Sequence, residues 1–213
     1  MQADAVFPFC FMVSVFGGFI GLIVLLILWQ RHRTNTVAAV WAQLAADLGL
    51  EYSRPSSWQA GTITGPYQDF QVQIYVFTRG GGKNKTTLTA VKTFVNPQLT
   101  LGLKIYREHA LSGIGKVLGF QDIQTGDKAF DDRFLIKGKD EAGVLRLLTP
   151  SLRQEILRFD RFAARATVDD HGAYWEKVGV ISDRDLLVNA LNAQSQVVRA
   201  MSQAALDGNA AQY

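Results

Sequence analysis

Cysteine is almost absent from this chain: Cys10, inside an apolar run near the start, is its only occurrence in 213 residues. Everything beyond that run therefore lacks disulfides, thiolate metal sites and thiol nucleophiles. Histidine is scarce too, with only His32, His109 and His171. Neither the H-E-x-x-H nor the H-x-x-E-H spacing of zinc hydrolases occurs, and no G-x-S-x-G elbow is present. These gaps remove the common hydrolytic machineries. Lysine and arginine are missing before Arg31, and the only charged side chain in that stretch is Asp4. A cleaved secretory signal needs a positive leader and a small-residue cleavage site, and neither is found.

What is present begins with residues 6–29, VFPFCFMVSVFGGFIGLIVLLILW, uncharged throughout and followed by Arg31, His32 and Arg33. At ~1.5 Å per residue such a helix is ~36 Å long, enough to cross a ~30 Å hydrocarbon core with some tilt. The run predicts a transmembrane helix over 6–30 behind a short extracytoplasmic tail at 1–5. Cations stay on the cytoplasmic side of a span, so the remainder is expected in the cytoplasm. Gly17 and Gly21 form a G-x-x-x-G pair, and Ser14 and Gly18 repeat the spacing on a neighbouring stripe. Such stripes suit close packing against helices of an integral membrane protein or a second copy; glycine is also simply frequent in membrane helices.

The chain carries 22 Lys and Arg against 19 Asp and Glu, a net +3. That mild excess suits proximity to an anionic membrane, with Arg31 and Arg33 positioned for headgroups or a partner. It is too small to argue for nucleic acid.

Thr34, Asn35 and Thr36 are candidate caps for a helix bearing Val37, Val40, Trp41, Leu44 and Leu48 at helical spacing and ending at Gly49. Packing on the domain is expected for its apolar face. From residue 61 to 108 the period changes to two. Phe70, Val72, Ile74 and Val76 alternate with polar residues, KTTLTAVKTFV follows, and Leu99, Leu101, Leu103 and Ile105 alternate again. This predicts a half-buried antiparallel meander.

Residues 79–87, RGGGKNKTT, resemble a phosphate cradle only superficially. Asn84 holds the Ser/Thr position, no glycine lies five before Gly82, and a strand rather than a helix follows. A solvated hairpin tip is the expected reading, and contact of Arg79, Lys83 and Lys85 with headgroups or an acidic partner is the second. The run GIGKVLG at 113–119 misses the dinucleotide fingerprint by one residue and reads as a linker. Asp122, Asp127, Asp131 and Asp132 lack the order of a calcium loop, so caps and turns are expected, with Phe130 and Phe134 as core anchors. No metal or cofactor is expected.

The succession LGLEY, GPYQDFQVQI, DIQTGDKAFDDRFLIKG and EAGVLRLLTPSLRQEIL resembles a group of uncharacterised bacterial single-pass membrane proteins with one cytosolic α+β domain, over roughly residues 36–165. The resemblance implies a bacterial inner-membrane protein and a shared fold. It carries no catalytic residue with it.

Further on, Asp140 can cap a helix with Val144, Leu145 and Leu148, and Thr149-Pro150 opens another with Leu152, Ile156 and Phe159. Strands are expected over 161–168 and 174–181, joined by the turn Asp169-Asp170-His171-Gly172. Ser182 with Asp185 resembles a capping box for a long helix over about 183–206, whose face is Leu187, Leu191, Gln194, Val198, Met201 and Ala205. Packing of that face on the sheet is expected, with a partner as the alternative; residues 207–213 read as a flexible tail. The expected architecture is α+β: one N-terminal transmembrane helix, then a mainly antiparallel sheet domain at 34–206 with flanking helices and a long C-terminal helix.

His171 with Asp169 and Asp170 could form a general base with an orienting carboxylate, but an exposed turn histidine is the commoner case. No catalytic residue is expected. The chain reads as a non-enzymatic accessory or scaffold subunit binding the cytosolic faces of a membrane complex, respiratory or photosynthetic for example. The alternative is a membrane-tethered domain that binds a ligand or lipid headgroup, or hydrolyses one, through Arg79, Lys83, Lys85 and His171.

Overall fold

A computed structural model describes residues 6–54, 61–107, 122–162 and 165–210, with side chains omitted at 6–17, 30, 31, 33, 34, 209 and 210. The expected N-terminal tail, His109 and the expected linker at 113–119 lie outside the described residues, as do the side chains of Ser14, Arg31 and Arg33 and any surroundings of Gly17.

Helix α1 (Val6–Leu48) runs without a break through the expected boundary at 34–36. The candidate caps act otherwise. Thr36 Oγ1 donates to the His32 carbonyl one turn back, and Asn35 Oδ1 accepts from Arg54 Nη2. A threonine bonded to the carbonyl four residues earlier sits comfortably inside a helix. Among the described residues no helix is long and apolar enough to cross a membrane. Those of the expected span with described side chains are 18–29, and the large apolar ones from Phe19 to Trp29 are 41–68% exposed. Gly18 and Gly21 face open space, with nothing within 4 Å of a Cβ built at either.

Eight strands form one antiparallel sheet: β1 (Glu51–Ser53), β2 (Thr62–Tyr67), β3 (Phe70–Arg79), β4 (Thr86–Phe94), β5 (Lys104–Tyr106), β6 (Leu135–Lys137), β7 (Ala166–Asp169) and β8 (Gly172–Val178). Their spatial order is β1-β2-β3-β4-β8-β7-β5-β6. The meander is real only through β4. Beside β4 lies β8, some eighty residues on, and β5 pairs with β7 and β6 instead. Residues 99–103, expected as strand, are irregular. Gly102 adopts φ +66°, and its amide and that of Leu103 donate to the Asp170 carboxylate at 2.7 and 3.0 Å. A side chain outcompetes the ladder there. Gly172 at φ +133° permits the β4–β8 approach, since a Cβ would lie 2.2 Å from the Thr93 carbonyl oxygen.

The helices α2 (Lys128–Asp131), α3 (Glu141–Leu147), α4 (Pro150–Phe162) and α5 (Arg184–Ala210) complete the domain. Three of them are capped by aspartates and α4 by Thr149, whose Oγ1 accepts from the Leu152 amide. Asp127 accepts from the Phe130 amide, Asp140 from Gly143, and Asp183 from Leu186, so Asp183 takes the role expected of Ser182. Asp131 accepts from the Thr125 and Gly126 amides, the structural duty expected of this cluster. Helix α4 runs to Phe162, where a strand was expected, and α5 continues to Ala210 through most of the expected tail.

Helix α5 packs across β4 and β8 and against α4, while the C-terminal part of α1 covers β1 and β2. Leu187, Leu191, Gln194, Val198 and Met201 are fully buried, as sheet packing requires. Gln194 is satisfied inside: it accepts from Thr93 Oγ1 at 3.0 Å and donates to the Val91 carbonyl at 2.9 Å. Trp41, Phe130 and Phe159 are the largest fully buried side chains, each contributing ~2–3 kcal/mol of transfer free energy. On the rim of the core the Asp160 carboxylate, buried, receives Arg107 and Arg133 together. Removing it would strand two arginines.

Candidate functional site: the uncovered sheet face

Strand alternation sends Val91 and Thr93 toward α5 and their neighbours Lys92 and Phe94 to the opposite face. No described helix packs on that face. Register then assembles a row across it: Gln73 opposite Lys92, Lys92 opposite Tyr174, Tyr174 opposite Thr167, and Thr167 opposite Tyr106. The row borders a concavity of about 420 Å³. Four cationic side chains line it, Arg79, Lys92, Lys104 and Arg165, against two carboxylates, Asp169 and Glu176.

Glu176 is fully engaged. Arg79 donates to it through both Nη atoms at 2.6 Å each, Tyr174 through its hydroxyl at 2.8 Å, and Arg165 Nη1 at 3.3 Å. Burial alone would push the Glu176 carboxyl up, but the Arg79 fork and the other donors outweigh it and hold it below the usual range. Burial, with the bond to Glu176, raises the Tyr174 phenol well above its ordinary value, so it stays a donor. The bond to Glu176 raises Arg79 as well. Arg165 is the most distant of the Glu176 donors.

Lys92 is placed differently. Its Nζ lies 5.5 Å from the ring centroids of both Tyr75 and Tyr174, the geometry of a double cation–π contact. Lys104 Nζ sits 5.9 Å from the Tyr106 ring centroid. Among the described residues, neither ammonium has a carboxylate within 4.0 Å.

The expected site residues divide. Arg79 and His171 reach the concavity, whereas Lys83 lies in an exposed 3-10 turn (Gly82–Asn84) and Lys85 just after it, both away from the cavity lining. His171 is 63% exposed; its amide donates to Asp169 Oδ1, its Nδ1 lies 3.4 Å from the same oxygen, and Gln98 Nε2 is 3.1 Å from its Nε2. Asp170 points elsewhere, clamping the Gly102 turn. An imidazole–carboxylate pair therefore exists at the edge of the concavity, with its imidazole largely in solvent. Among the described residues no cluster of three or more His, Cys, Asp or Glu is arranged to hold a metal ion. The residues missed from sequence are Lys92, Lys104, Arg165, Tyr75 and Tyr174. Parity alone places Lys92 opposite Val91 within its strand, but neighbours from β8 and β5 follow only from register.

A second hollow of about 340 Å³ lies between residues 95–101, α3 and the end of α5. Its lining is mostly apolar or small, with Arg146 the only charged side chain there among the described residues.

Fold and face together define an α+β domain with one cationic sheet face that no described helix covers. Comparison with known proteins adds no relative: no family model, no curated protein and no solved structure matches the chain.

Proposed function

We propose that this chain is a non-enzymatic accessory subunit held in a bacterial inner membrane by the first part of α1, with its N-terminus outside and its sheet domain in the cytoplasm. The observation that carries the reading is the stretch from Phe19 to Trp29, apolar on every side and exposed on every side. A helix apolar all round is at home in lipid and costly in water. The same unbroken helix ends as a core element, through Val37, Trp41 and Leu44. Only ~12 Å of helix separates Trp29 from Val37, so the domain rides close to the bilayer surface. At that height it meets the cytosolic faces of neighbouring membrane proteins, while Ser14, Gly17, Gly18 and Gly21 offer a close-packing stripe to their helices or to a second copy. The non-enzymatic part of the reading is supported by the concavity's acid–base groups, which are committed to each other: Glu176 to Arg79, Arg165 and Tyr174, and His171 to Asp169 and Gln98.

Membrane fractionation tests the anchor and gentle solubilisation tests the subunit. The full chain is expected to stay in the pellet through alkaline carbonate washing and to migrate, in mild detergent, in a defined assembly larger than itself. Release by carbonate overturns the anchor; recovery as a free monomer only overturns the subunit role.

A further inference from the structure

We propose that the uncovered sheet face is a binding site for a phosphomonoester group, held by Lys92, Lys104 and Arg165. Arg79 and His171 border the same concavity, but the donors that carry the inference are Lys92, Lys104 and Arg165, and it stands independently of the membrane anchor.

The first support is charge. Four cations and two carboxylates line one concavity, and one carboxylate, Glu176, is already saturated by Arg79 and Tyr174. The other, Asp169, spends an oxygen on the His171 amide. The unspent charge is positive, so an anion entering the hollow relieves repulsion among like charges.

The second support is preorganisation. Lys92 is half-buried, and the two tyrosine rings position its ammonium, which has no carboxylate within 4.0 Å among the described residues. Arg165 makes the longest of the contacts to Glu176, 3.3 Å against 2.6 Å for each Arg79 contact, and its side chain is 48% exposed. It can turn its fork to a new acceptor while Glu176 keeps its other three bonds. Lys104, on β5, sits across β7 and β8 from Lys92. Two strand lysines and an arginine at the turn just before β7 suit a group with several acceptor oxygens and about two negative charges. A phosphomonoester has that form; a single carboxylate offers fewer acceptors and half the charge.

The third support is size. About 420 Å³ holds a phosphate and a small polar body, and falls within the range of ordinary ligand pockets. The hydroxyl of Thr167 supplies a polar contact for that body.

The test uses the full chain in nanodiscs of phosphatidylcholine, titrated with glycerol 3-phosphate and followed by calorimetry and phosphorus NMR. A parallel arm places phosphatidic acid in the nanodisc, so the same phosphomonoester arrives from the lipid. If the chain does not insert, the first arm runs in neutral detergent, which separates failure of the anchor from failure of the site. Binding is expected in at least one arm. Lys92→Met, which removes the ammonium and keeps a similar length, and Lys104→Met are each expected to weaken it about tenfold, while Lys92→Arg restores most of it and Lys83→Met, at the hairpin tip, leaves it unchanged. Should Lys92→Met fail to fold, Lys104→Met, at an exposed position, carries the comparison. A response only with phosphatidic acid assigns the lipid as source, and a response to glycerol 3-phosphate assigns a soluble ligand. No response in either arm, or equal weakening by Lys83→Met, overturns the site.

Discussion

Glu176 shows how one buried carboxylate organises a surface. It collects Arg79, Arg165 and Tyr174, and its ionised form is stabilised in the fold relative to the unfolded chain. Because its folded pKa is depressed below the ordinary 4.5, the stability it contributes is complete above that value and is lost as pH falls through the folded pKa. Glu176→Gln is therefore expected to lower stability near neutral pH by about 1–2 kcal/mol, at the modest end because both arginines are half exposed and screened by solvent. The gap to the parent chain should close as pH drops below 4.5, read from urea midpoints across the range. A gap independent of pH would show that shape rather than charge is what the position supplies. At this scale the caps were largely legible, since Asp140 and Thr149 act locally where their spacing put them. Asp170 was not, because its partners, the amides of Gly102 and Leu103, lie almost seventy positions away.

At the scale of elements the unbroken α1 is the main departure from expectation. Thr, Asn and Thr in succession are good caps, but a cap works only where the preceding residue leaves the helix, and here the preceding run is itself helical. Local preference gave way to continuity. The domain end of α1 is fastened by Trp41, whose Nε1 donates to the Ile181 carbonyl at 2.7 Å in a fully buried setting. Trp41→Phe leaves that carbonyl without its donor and opens a small void, an expected loss of about 2–3 kcal/mol in urea unfolding. An unchanged midpoint would mean the helix is only loosely seated. The strand β3 was readable because a two-residue period with one buried face is a strong signal, and β4 because it is rich in Thr and Val. Residues 99–103 carried the same period and failed as strand, since alternation does not say whether an edge is available to pair with.

Across the whole molecule, the core closes over the C-terminal part of α1, the sheet and α5, and the exposed stretch from Phe19 to Trp29 adds nothing to it. A chain beginning at Thr34 is thus expected to fold with the same secondary structure by circular dichroism and a cooperative transition, while no longer sedimenting with membranes. Loss of the transition would show that the first part of α1 is needed for folding itself. What the sequence alone determined is what local periodicity and composition can carry: the long apolar run, the α+β class, the helices from Asp140 to Phe159, the amphipathic face of α5. The order of strands, the partner of β4 and the gathering of Lys92, Lys104 and Arg165 on one face were decided by tertiary structure. Those depend on which distant segments pair, and a period of two tells each strand which side is wet without naming its neighbour.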